Sequence, residues 1–163
     1  MRLWQQRNRE EDPQEFWKAT AEKRGGEVEF TTFATLLGSP ADRYRGLPGL
    51  LYTVGESIWF EDFERDNWFS RIVSTKSKFE KTELSFQRGE VRSARLVSRN
   101  AALRCIAGGL KPERIATLSK LGKLLHSPAV QVQMNDGSSL FLEVMRAPEF
   151  VALFAGSPRS VSG

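Results

Sequence analysis

The side chains with the readiest chemistry are Cys105 and His126, each the only residue of its kind in the chain. A Ser-His-Asp or Cys-His arrangement would have to use His126 as its base. That histidine stands in Leu124-Leu125-His126-Ser127-Pro128, which reads as a helix end or a loop. Structural zinc needs several thiolate or imidazole ligands at set spacings, and one of each does not supply them. Cys105, in Leu103-Arg104-Cys105-Ile106-Ala107, reads as a small buried apolar residue, with a reactive thiol as the alternative. A single cysteine forms no intrachain disulfide, which fits a reducing compartment. No glycine-rich phosphate loop is present. The expectation is a protein that is not an enzyme, with no metal and no cofactor.

Carboxylates offer a second kind of chemistry. Glu56, Glu61, Asp62, Glu64 and Asp66 cluster in and after one predicted hairpin. Paired carboxylates can act as acid and base or hold a cation. Here they follow one another around aromatic residues with no ligand-loop pattern, so a solvated strand end is expected. Among those aromatics, Trp59 and Phe63 are candidates for a partner surface, and Trp59 alternates out of phase with Ile58 and Phe60.

The third kind is positive charge, and it is unevenly placed. The chain carries 24 basic and 20 acidic side chains, a net +4. Residues 91–126 alone hold eight basic groups and one acidic group, a local +7. The eight are Arg92, Arg95, Arg99, Arg104, Lys111, Arg114, Lys120 and Lys123. Flanking an apolar stripe on a helix, such cations suit an anionic membrane interface or an acidic protein. As a row, Arg88, Arg92, Arg95 and Arg99 suit nucleic-acid phosphates. The competing reading is a solvated basic face over a buried leucine stripe. The acidic cluster could also meet the basic segment within one chain or between two copies, giving a homo-oligomer.

These groups need elements to position them. Length and composition, 40% hydrophobic and 27% charged, are those of one ordinary globular domain. Residues 1–24 read as a polar tail and a short helix, starting at Asp12-Pro13 and ending at Gly25-Gly26. Residues 25–156 read as the domain and 157–163 as a second tail. Val28, Phe30, Thr32, Ala34 and Leu36 alternate as a strand. Residues 38–49 read as a loop. Runs 50–54 and 57–63 form a hairpin about Gly55-Glu56, where glycine at the first turn position signals a type II′ turn. Further strands are expected within 68–74 and 83–86. Residues 88–107 fit neither period cleanly; two strands are expected there, with a helix carrying the Arg row on one face as the rival. A helix is expected over 112–125, with Ile115, Leu118, Leu121, Leu124 and Leu125 as its stripe. Val130, Val132 and Met134, then Asn135-Asp136-Gly137, then Leu140, Leu142 and Val144 form a second hairpin. Residues 148–154 close the domain as a helix.

The fold class that follows is mainly β with some α: a small antiparallel barrel or sandwich of about seven strands, an N-terminal helix, an inserted basic helix and a C-terminal helix. Phe150, Leu153 and Phe154 on that last helix could plug the barrel. Gly49-Leu50-Leu51-Tyr52-Thr53 leading to Ser57-Ile58-Trp59-Phe60-Glu61, and the Asp-Gly hairpin followed by a helix with Phe150, resemble a GRAM-type or pleckstrin-homology-like barrel. The resemblance covers roughly residues 27–155, and the 112–125 helix is not a standard part of that barrel. It implies a binding or scaffolding module. No lipid-binding residue set can be carried over.

The N-terminal run Met1-Arg2-Leu3-Trp4-Gln5-Gln6 holds no apolar signal core, and no apolar stretch approaches the ~20 residues that span a bilayer. The expectation is a cytoplasmic protein, able to sit at the periphery of a membrane. Its partner is expected to be a protein or an anionic membrane surface, with nucleic acid as the alternative.

Overall fold

The computed structural model describes residues 13–62, 83–125 and 127–155. Helix α1 spans Pro13–Arg24, and strands β1 (Val28–Ser39), β2 (Arg43–Val54), β3 (Ser57–Asp62) and β4 (Glu83–Gln87) follow. Strand β5 (Val91–Ser98) runs into helix α2 (Arg99–Ile106), and helix α3 (Lys120–Leu125) precedes β6 (Pro128–Met134) and β7 (Ser139–Val144). Helix α4 (Ala147–Ala155) is the last of the described elements. The strands form one seven-stranded antiparallel sheet, in the order β4-β3-β2-β1-β7-β6-β5. It curls into a half-barrel whose inner face packs on α4.

Alternation explains the inner core. In β1, Phe30, Thr32, Ala34 and Leu36 are buried, as the period of two requires. Leu51, Ile58, Phe60, Leu96, Val130 and Leu142 join the same cluster, and α4 inserts Phe150 into it. Both hairpin signals place their turns correctly. Gly55 sits at φ 56 with Val54 opposite Ser57, and Glu56 keeps a negative φ, the type II′ pattern. At the second turn Gly137 has φ 90, its N–H donates to the Met134 carbonyl, and Met134 N–H donates to the Ser138 carbonyl. That is a type I turn with a glycine bulge.

The outer face is also covered. Leu37, Val97, Ala129 and Phe141 point outward and pack beneath Ala102, Cys105 and Ile106 of α2, together with Ile115. At the other end of the sheet α1 lays Trp17 edge-on against Tyr52, with ring centroids 5.7 Å apart.

Three expectations are corrected. Of the two strands expected over 88–107 only the first forms, and the rival helix carrying the Arg row on one face does not: a short 3-10 turn at Arg88–Glu90 leads into β5, and the second strand is replaced by helix α2 from Arg99. The side chain of Ser98 caps that helix, accepting from Ala101 N–H at 3.0 Å. Residues 112–125 are not one helix but a 3-10 turn at Pro112–Arg114, an extended stretch and the six-residue α3. Within the stretch Leu118 N–H donates to the Leu96 carbonyl at 2.8 Å, so the chain runs along the edge of β5 instead of coiling. The stripe is therefore divided: Ile115 enters the outer cluster, Leu118 packs on the inner one and Leu121 is 66% exposed. The Leu124 and Leu125 side chains lie outside the described ones. Finally, 38–49 is not a loop, because the chain turns at 39–43 and β2 starts at Arg43. Pro48 fits there because β3 pairs with β2 only from Gly49 onward. The strand expected within 68–74 lies outside the described residues.

Candidate functional site

The basic segment is built outward from β5, the sheet edge. Two of its eight cations are committed inside the fold. Arg95 gives Nε–H to Gln131 Oε1 at 2.9 Å, Nη1–H to Thr117 Oγ1 at 3.2 Å and Nη2–H to the Pro112 carbonyl at 3.4 Å. Gln131 is fully buried and donates to the same Pro112 carbonyl and to Ser139 Oγ. Arg95 is thus a strap that ties residues 112–117 to the sheet, not a free partner contact. Arg99 donates to Glu143 of β7 at 2.7 Å, and that bond, with a smaller contribution from nearby Tyr44, raises the Arg99 guanidinium pKa.

Removing the strap has a measurable consequence. Arg95→Ala leaves the buried Gln131 oxygen without its donor, which costs about 2 kcal/mol. It should also speed trypsin cleavage after Arg114, read by limited proteolysis against wild type.

The other six cations, Arg92, Arg104, Lys111, Arg114, Lys120 and Lys123, are exposed. Among the described residues none of them makes an ion pair. They come from β5, α2, the 3-10 turn and α3, and Glu113 is the lone carboxylate in residues 91–126. Exposed Leu121 stands between Lys120 and Lys123.

The aromatic and acidic candidates lie elsewhere. Trp59 is half-buried on the outer face of β3 with the Arg24 guanidinium 3.6 Å above its ring, so it is not an open partner surface. Arg24 also donates to Glu61 Oε1 at 2.5 Å and to Tyr52 Oη at 3.1 Å. Burial pulls the Arg24 pKa down, but the bonds to Tyr52 and Glu61 outweigh it and leave it raised, while burial pushes the Tyr52 phenol up. Glu61, read as part of a solvated strand end, is buried in this knot. Glu56 lies 4.0 Å from Arg88. Phe63, Glu64 and Asp66 lie outside the described residues.

Glu83 of β4 ties α1 to the sheet edge through Lys23, at 3.3 Å. Burial pushes its carboxyl up, but the hydrogen bond from Lys23 and the charges of Lys23 and Arg24 outweigh that and hold it below its ordinary value. With its folded pKa depressed, Glu83 contributes stability above the ordinary carboxylate range and loses it as pH falls through the folded value. The urea midpoint of Glu83→Gln should therefore lie below that of wild type at neutral pH, with the gap closing in acid.

Cys105 is buried, and burial followed by the charge of Glu113 raises its thiol pKa, which keeps it protonated. His126 lies outside the described residues. Among the described residues no three His, Cys, Asp or Glu side chains group closely enough to hold a metal ion. No helix among them is long and apolar enough to cross a membrane.

One feature escaped the sequence altogether. The tip of the β1–β2 hairpin leans toward the end of α2 and encloses a groove of about 740 Å³. Pro40, Arg43 and Tyr44 form one side, and Leu103, Ile106 and Ala107 the other. Its two walls are some sixty residues apart in the chain, so no local pattern announces it.

No family model and no curated protein matches this sequence. A solved structure, the C-terminal domain of an unknown protein from Leishmania infantum, aligns over 86% of this chain and 92% of its own, with 12% identity and a TM-score of 0.45.

Proposed function

We propose that this chain is a non-enzymatic binding module of the pleckstrin-homology-like kind, which meets an acidic protein surface through residues 91–126. The observation that carries this reading is the set of six exposed cations with no carboxylate partner among the described residues. Exposed charges of one sign steer an oppositely charged partner and set its register. Seven antiparallel strands followed by a packed C-terminal helix support the barrel resemblance of the sequence. The buried thiol of Cys105 and the pairing of Glu61 with Arg24 support a binding role over a chemical one.

A second reading, an anionic membrane surface, is favoured by Leu121, an exposed apolar residue between two lysines. Each basic residue near such a surface contributes on the order of 1 kcal/mol.

Reversing Arg104, Arg114, Lys120 and Lys123 to glutamate tests the assignment. A glutamate-rich peptide, in titration, should lose at least ~100-fold in affinity, since four exposed ion pairs of roughly 0.5 kcal/mol each are replaced by repulsions of similar size. Unchanged binding rejects the surface. Binding to phosphatidylserine vesicles but not to the peptide supports the membrane reading. Binding to a DNA or RNA oligonucleotide that falls steeply with salt supports a nucleic-acid partner instead.

A further inference from the structure

The groove between the β1–β2 tip and α2 joins three observations that packing alone does not require. Its far wall is apolar: Leu103, Ile106 and Ala107 from α2 and its C-terminal end. Its near wall places Tyr44 58% exposed above this apolar surface. An aromatic ring left that open beside an apolar hollow is suited to cover an incoming side chain.

Arg43 is the second observation. It holds φ 66 at the end of the hairpin turn, and it is the one non-glycine residue with positive φ among those described. Left-handed backbone is disfavoured for a branched-off Cβ and natural for glycine. A strained residue whose side chain lines a groove points to a use for that side chain. Neighbouring Arg45 is occupied by Asp42 at 3.0 Å, whereas Arg43 makes no ion pair among the described residues.

The third is the placement of Tyr44. Gly46 has φ 60, and a Cβ there would lie 2.6 Å from the Tyr44 hydroxyl oxygen. The tyrosine lies across Gly46 because that glycine leaves room, which sets the ring at the rim of the groove.

We propose that this groove receives an apolar anchor side chain of an acidic peptide, with Arg43 pairing a carboxylate beside the anchor. The proposal rests on the anionic-partner reading above and names the element of the partner that enters. Charge complementarity selects this occupant. Among the described residues Arg43 is the only charged one lining the groove and no carboxylate lines it, and Arg104 is exposed immediately after Leu103.

Three synthetic dodecapeptides test it: a central Leu-Phe pair flanked by glutamates, the same pair flanked by lysines, and Gly-Ser flanked by glutamates. Binding is followed by fluorescence anisotropy and by amide shifts in NMR. The glutamate-flanked Leu-Phe peptide should bind tightest and move the amides of Tyr44, Leu103, Ile106, Ala107 and Gly108. Arg43→Gly should weaken it at least ten-fold, while the thermal midpoint stays level or rises because backbone strain is removed. Gly46→Ala should weaken it by displacing Tyr44. Equal affinity in Arg43→Gly, immobile groove amides, or binding by none of the three peptides overturns the proposal. So do groove amides that move with phosphatidylserine vesicles and not with peptide. The charge-reversed Arg114, Lys120 and Lys123 variant separates the two readings. If it loses binding while Arg43→Gly does not, the basic surface stands and the groove proposal fails. Loss in Arg43→Gly alone retains the groove and removes the wider surface.

Discussion

Replacing Arg24 by alanine is expected to destabilise the domain by about 3 kcal/mol, because it leaves the Glu61 carboxylate buried without its guanidinium. The two side chains are only 9% and 7% exposed, and their bond is 2.5 Å long. Arg24 also covers the Trp59 ring and donates to Tyr52, so its loss opens the outer face of β2 and β3. It closes α1, whose Phe16, Trp17 and Thr20 share the face that meets the sheet. Urea denaturation should show the lowered midpoint, and amide exchange should rise first across residues 14–24. Changing both partners together, Arg24→Met with Glu61→Leu, should recover most of the loss, since a well-packed apolar pair replaces a buried ion pair at little cost. A single variant as stable as wild type would mean that the charge cluster is solvated and that α1 is held by its aromatic residues alone.

Phe150→Ala is expected to be the most damaging single truncation, at about 4 kcal/mol. Phe150 is wholly buried where α4 meets the inner face of the sheet. Its ring lies 6.3 Å from that of Phe30 and 5.2 Å from that of Phe154. Strands β1 and β5–β7 cannot close over the vacated volume without bending, so the cavity persists and adds to the lost transfer energy. Phe154→Ala should cost less, because Phe154 is only half-buried. Thermal denaturation of both variants checks the order; equal losses would show that α4 rocks to refill the space.

The elements that were legible are those with one buried face or a strong turn. Strand β1 and the strands of the second hairpin alternate, α1 is marked by its start and stop signals, and Gly55 and Gly137 stand where the turns need them. Of the two strands expected over 88–107 one forms, and no clean period marks it because both faces of β5 are covered. Leu96 enters the inner core and Val97 the outer one, so alternation disappears, and the second expected strand is instead the eight-residue helix α2, too short to show a clear helical period. The apparent leucine helix at 112–125 failed for a similar reason, as its apolar residues serve different clusters. The charge excess was visible in the sequence, but its division was not. Arg95 and Arg99 find Gln131 and Glu143, which lie 36 and 44 residues further along the chain. What remains exposed is a smaller set, concentrated on α2, the 3-10 turn and α3 with Arg92 on the strand edge.

The most direct measurement of the central claim is an NMR titration of the isotope-labelled domain with the glutamate-rich peptide at low salt. Amide shifts should concentrate at Arg92, Arg104, Lys111, Arg114, Lys120 and Lys123, and fade as salt is added. Shifts confined to α1, β3 and β4, or none at all, would contradict the account.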